Sequence, residues 1–143
     1  MSKKYLHYAA VGVLVFIISG CSVNRVSLVD TNQVTVTRRD SEKIEILWTD
    51  VYQKDGCTWA YGILKQRGYH SSMPIKTHVD VQVLSEDGSV QYEAFSEDIS
   101  VPRNRVGKGP DWKRFRVKLT ENIPAGSQVN ILLHNGRHEI SAG

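Results

Sequence analysis

The chain has 143 residues, with 18 lysines and arginines against 15 aspartates and glutamates, and 2 cysteines. That length supports one domain able to bury a core without covalent staples. The formal net charge of +3 is small and comes partly from Lys3 and Lys4 at the very start, so it points to no nucleic-acid partner or other partner.

The chain opens with those two lysines, runs through an apolar stretch over residues 9–18, and reaches small residues at Ser19 and Gly20. A basic start, about ten apolar residues and a small-residue cleavage point make an export signal. A spanning helix needs about 20 apolar residues, so the stretch is too short to cross a bilayer.

The tetrapeptide Ile18-Ser19-Gly20-Cys21 resembles the lipobox of bacterial lipoproteins. The resemblance implies removal of residues 1–20, acylation of Cys21 with fatty acids such as palmitate, and a mature chain that begins at that cysteine. It also implies, through Ser22 in place of an aspartate, transfer in a Gram-negative cell to the outer membrane, facing the periplasm. Each buried methylene contributes about 0.8 kcal/mol, so two or more acyl chains make a lasting anchor. With Cys21 lipidated, Cys57 has no intramolecular partner, and a lone thiol in an oxidising compartment is best kept in a core. Its strand parity with Trp59, Tyr61 and Ile63 places it there.

Residues 21–33 are polar and weakly periodic after the cysteine and read as a lipidated tether; residues 34–143 read as the domain. Val34 and Val36, then Ile44, Ile46 and Trp48, alternate with period two. Over 40–52 a helix competes, because Ile44, Leu47, Trp48 and Val51 also fit helical spacing. Asp55-Gly56 decides for a strand over 44–53, since that pair closes a hairpin into a second strand over 57–66. In residues 75–85, Thr77, Val79, Val81 and Val83 point one way and His78, Asp80 and Gln82 the other. Asp87-Gly88 turns the chain into 89–101, which Pro102 ends.

After a loop over 103–112, Phe115, Val117 and Leu119 alternate with Arg114, Arg116 and Lys118. A turn at Pro124-Ala125-Gly126 leads to Val129, Ile131 and Leu133, and Asn135-Gly136 signals a type I′ hairpin into a last strand over 137–140. About seven or eight strands at this spacing predict an all-β fold: a single antiparallel β-sandwich of the immunoglobulin or transthyretin type. Its expected core is Trp59, Tyr61, Val79, Val81, Val83, Phe115, Val117, Leu119, Val129 and Ile131.

Four groupings bear on chemistry. His78 and Asp80 share a strand face about 7 Å apart, within reach of one metal if His134 or His138 joined them. Polar residues alternating with valines give a solvated face without any metal, so none is assigned; across the two-residue turn His134 and His138 also fall on opposite faces. Arg103, Arg105, Lys108 and Lys113, in and beside the Gly-rich loop, form the candidate contact surface for an anionic partner. Arg114, Arg116 and Lys118 read as the wet face of their strand. Gly107-Lys108-Gly109-Pro110 lacks the spacing and the hydroxyl residue of a phosphate loop. Nothing sets a base and an oxyanion donor beside Cys57, so no nucleophile is assigned.

The sequence thus describes a lipid-anchored envelope lipoprotein that binds or scaffolds a protein partner, with no catalytic residues and no cofactor. A periplasmic ligand or metal binder, and an envelope hydrolase or inhibitor, are the alternatives.

Overall fold

The computed structural model describes residues 24–68, 73–103, 109–119 and 122–134. Nine strands lie in these residues: β1 (Val26–Ser27), β2 (Val34–Arg39), β3 (Ile44–Lys54), β4 (Cys57–Gln66), β5 (Ile75–Leu84), β6 (Val90–Phe95), β7 (Ile99–Val101), β8 (Trp112–Lys118) and β9 (Ser127–His134). They form two sheets, β1-β3-β4-β8 and β2-β9-β5-β6, with β7 also paired to β5. The sheets pack face to face as a β-sandwich, and the valines of β5 and β9 meet Ala60, Leu64, Phe115 and Val117 in one core. The hairpin over 135–140 lies outside the described residues.

The β3–β4 hairpin turns through Asp55 and Gly56 at φ of 51° and 74°. Both values are positive, as a type I′ turn requires, which explains the choice of residues there. The helix-like spacing of β3 has a different origin. The register slips between Ile46 and Trp48, so Leu47 is an extra residue and the inward parity changes from even to odd numbers. Ile44 and Ile46 before the bulge, and Val51 after it, therefore all reach the core.

Two expectations change in the four-stranded sheet. In β4 the inward residues are Thr58, Ala60, Gly62, Leu64 and Gln66, while Trp59, Tyr61 and Ile63 are only partly covered on the outer face. Cys57, on the same parity, is half-buried rather than a core residue. Small side chains fit the inner face because the ring of Phe115, from the neighbouring β8, occupies the space over Gly62.

The tether is also shorter than expected. Val26 and Ser27 pair with Gln53 and Tyr52, Leu28 donates its amide to the Val51 carbonyl at 2.8 Å, and the Leu28 side chain is 1% exposed. Asp50 holds this entry segment, accepting from Arg25 Nη2 at 2.8 Å and Ser27 Oγ at 2.7 Å. A single leucine in a polar stretch carries no periodicity, so only packing reveals that residues 25–28 belong to the domain.

In the second sheet, β2 pairs with β9 in parallel, the one departure from antiparallel order among the described residues. The turn over 28–33 carries the chain from one sheet to the edge of the other, and nearly the whole domain forms the long crossover that a parallel pair demands. Strands β6 and β7 are one strand in all but name. They pair along the same line of β5, interrupted over residues 96–98, where the Ser96 amide reaches the Val79 carbonyl at 2.9 Å.

Candidate functional site

Two groups of side chains stand out, one on the outside of each sheet. On the four-stranded sheet the antiparallel register sets Trp59 opposite Lys118, Tyr61 opposite Arg116 and Ile63 opposite Arg114 on β8. On the other side it sets Trp59 opposite Tyr52 and Tyr61 opposite Asp50 on β3. Paired residues share a face, so the outer surface is a row of aromatic rings flanked by cations. Arg116 lies 3.8 Å above the Trp59 ring and Arg25 lies 3.9 Å above Tyr52. Trp48 meets Tyr61 edge to face at 5.6 Å between centroids.

The bulge in β3 contributes to this surface, because it turns Leu47 and Trp48 both toward solvent, at 47% and 44% exposure. Charge is partly balanced at the margins. Arg25 pairs with Asp50, and Lys65 pairs with Asp111 at 2.9 Å. The Lys65 ammonium holds the Asp111 carboxyl below its ordinary range. Arg114, Arg116 and Lys118 make no ion pair among the described residues. Because β8 is the last strand of its sheet among the described residues, those cations also disfavour association of that edge with another strand.

Of the expected contact surface, Arg103 is half-buried and Lys113 is exposed, while Arg105 and Lys108 lie outside the described residues. The tryptophan and tyrosine were expected inside, so the aromatic component of this face was missed. The signal was available in the strand pairing: once Phe115 and Val117 point inward, Arg114 and Arg116 point outward, and their neighbours on β4 must do the same.

On the second sheet, His78 and Asp80 are not solvated; they are 4% and 3% exposed. β5 is an inner strand, flanked by β9 and β6, so residues on its outer face are covered from both sides. His78 pairs directly with His134 across β5 and β9, and the two imidazoles stack with centroids 5.4 Å apart and planes 7° from parallel. Both aim at one carboxylate. His134 Nε2 stands 3.0 Å from Asp80 Oδ2, and His78 Nε2 stands 3.5 Å from Asp80 Oδ1. The ligand atoms of these three residues all lie within 4.8 Å of one another. His138 lies outside the described residues.

No family model matches the chain, and comparison with curated proteins and with solved structures also returns no match.

Proposed function

We propose that this protein is an envelope lipoprotein, anchored through acylated Cys21 on the periplasmic side of the outer membrane, whose β-sandwich is a non-catalytic binding or assembly module. The observation that carries the binding role is the outer face of the four-stranded sheet, where Arg114, Arg116 and Lys118 border Trp59, Tyr61 and Trp48. Tryptophan, tyrosine and arginine are the residues that dominate protein–protein binding energy. The cations lack acidic partners within the described chain, and this favours an acidic protein surface as the occupant.

The short entry segment supports the anchored role. Residues 22–25 separate Cys21 from β1, and the five Cα steps from Cys21 to Val26 reach about 17 Å when fully extended. The domain is therefore held beside the bilayer, with Arg25 at the margin of the cationic face.

The test is a photo-crosslinker placed at Arg116 in the full chain in its membrane, with one at Thr35 on the other sheet as the comparison. The reading expects a protein adduct from position 116 alone, lost in an Arg114→Glu/Lys118→Glu background and weakened by salt. Adducts to lipid only, or equal adducts from both positions, overturn the docking face. The anchor is tested separately by Cys21→Ser, which should abolish acyl mass and detergent partitioning; an unmodified cysteine at the start of the native mature chain overturns it.

A further inference from the structure

We propose that His78, Asp80 and His134 bind a divalent ion of the zinc class, with a fourth coordination position open toward solvent. The inference is independent of the docking face, which lies on the other sheet.

The argument starts from backbone register. His78 and His134 are directly opposed on adjacent antiparallel strands, and Asp80 is two residues along from His78, on the same face. Such a triangle is rigid, since it is set by a ladder of main-chain bonds rather than by a loop. Thr77 adds to that rigidity by donating its hydroxyl to the His134 carbonyl at 2.7 Å, at the end of β9. The side chains then converge: two imidazole Nε2 atoms face the two oxygens of one carboxylate, at 3.5 and 3.0 Å.

Zinc bonds to nitrogen and oxygen at about 2.0–2.2 Å, so a tetrahedral ion requires its ligand atoms about 3.3 Å apart. Here the largest separation is within 4.8 Å. Binding would draw the more distant ligand atoms together by up to about 1.5 Å and tilt one imidazole out of the present stack, whose planes lie 7° from parallel. His134 is the ligand placed to move, because its side chain is 49% exposed while those of His78 and Asp80 are each 5% exposed. Two buried ligands fixed by packing and one half-exposed ligand at the surface give an ion both a cradle and an entry path.

The donor set selects the class of ion. Two imidazoles and one carboxylate suit zinc and the neighbouring late transition metals, whereas calcium and magnesium take oxygen ligands alone. Three protein ligands leave one position for water or for a donor from another molecule, unlike the closed four-ligand sets of structural zinc sites. The apolar inner face of β5 already stabilises the strand without metal, through Val79, Val81 and Val83. The ion is accordingly a ligand of the folded domain and not a requirement for its folding.

The experiment uses the full untagged chain in detergent, stripped with chelator and titrated with Zn2+ alone and with Co2+ alone. Saturable binding of a single Zn2+ that raises the melting temperature is expected, with visible Co2+ absorption of the strength typical of four- or five-coordinate ions. His134→Ala, at a half-exposed position, should keep the fold and weaken Zn2+ binding by more than about tenfold, the least that even an outer-shell change costs. Asp80→Asn should do the same, and if it fails to fold, His134→Ala alone decides. Absence of saturable Zn2+ binding to the stripped chain, or equal affinity in His134→Ala, overturns the site and leaves the cluster as a hydrogen-bonded polar pair of strands.

Discussion

The ring of Phe115 on β8 covers the α-carbon of Gly62 on β4 so closely that an added Cβ would sit 2.5 Å from Phe115 Cε1. It would also meet the Trp48 carbonyl oxygen at 2.5 Å, and backbone cannot swing aside as a side chain does. Gly62→Ala is therefore expected to destabilise the domain by about 1–3 kcal/mol or more through overpacking, read as a lower midpoint in denaturant. Unchanged stability would show that the two strands separate there at no cost.

Leu28 separates a tether from a domain boundary. Its side chain is fully buried, so Leu28→Ala should cost about 2–5 kcal/mol. A residue in a solvated tether would change nothing measurable, and thermal melting of the two chains distinguishes the cases.

The two faces of the sandwich should respond oppositely to polar substitution. Val81→Asp puts an unpaired charge at a position with no exposure and should unfold the domain. Trp59→Ser, on the outer face beneath Arg116, should leave the β circular dichroism signal intact. If Trp59→Ser unfolds the chain while Val81→Asp does not, the inner and outer faces have been exchanged.

The β5–β6 turn is pH-sensitive at Asp87. Its carboxylate accepts from the Ser85 hydroxyl, the Ser89 amide at 3.0 Å and the Ser89 hydroxyl at 2.8 Å, which lowers its pKa from 3.8 to about 2. A lowered folded-state value means that the turn gains from the charged form above pH 3.8 and loses that gain as pH falls through about 2. Side-chain carboxyl shifts followed by NMR should give a midpoint well below the ordinary one; a midpoint near 3.8 would mean the hydroxyls are not engaged.

The loop cations form the last case. Replacing Arg103, Arg105, Lys108 and Lys113 together with glutamine should shift stability by no more than about 1 kcal/mol if they act as exposed charges. A larger loss in the melting curve would trace to Arg103, which is half-buried.

Alternation and turn chemistry in the sequence determined the class of the fold and most of its strands. Val79, Val81 and Val83 against His78 and Asp80, and Asp55-Gly56 between two apolar runs, carry their meaning locally, because strand period and positive-φ turns depend on a few adjacent residues. Which face of β4 is the inner one could not be read that way. Trp59 and Tyr61 are the more apolar and bulky set, yet Phe115 fills the space they would need, and only the pairing of β4 with β8 brings that ring over Gly62. Likewise the helical rhythm of β3 dissolves into a one-residue bulge, visible only in its register with β4. His78 and Asp80 read as a wet face until β9 delivers His134 from 56 residues away to close over them. Burial of a strand's outer face depends on which strands flank it, and that is settled by contacts between distant parts of the chain.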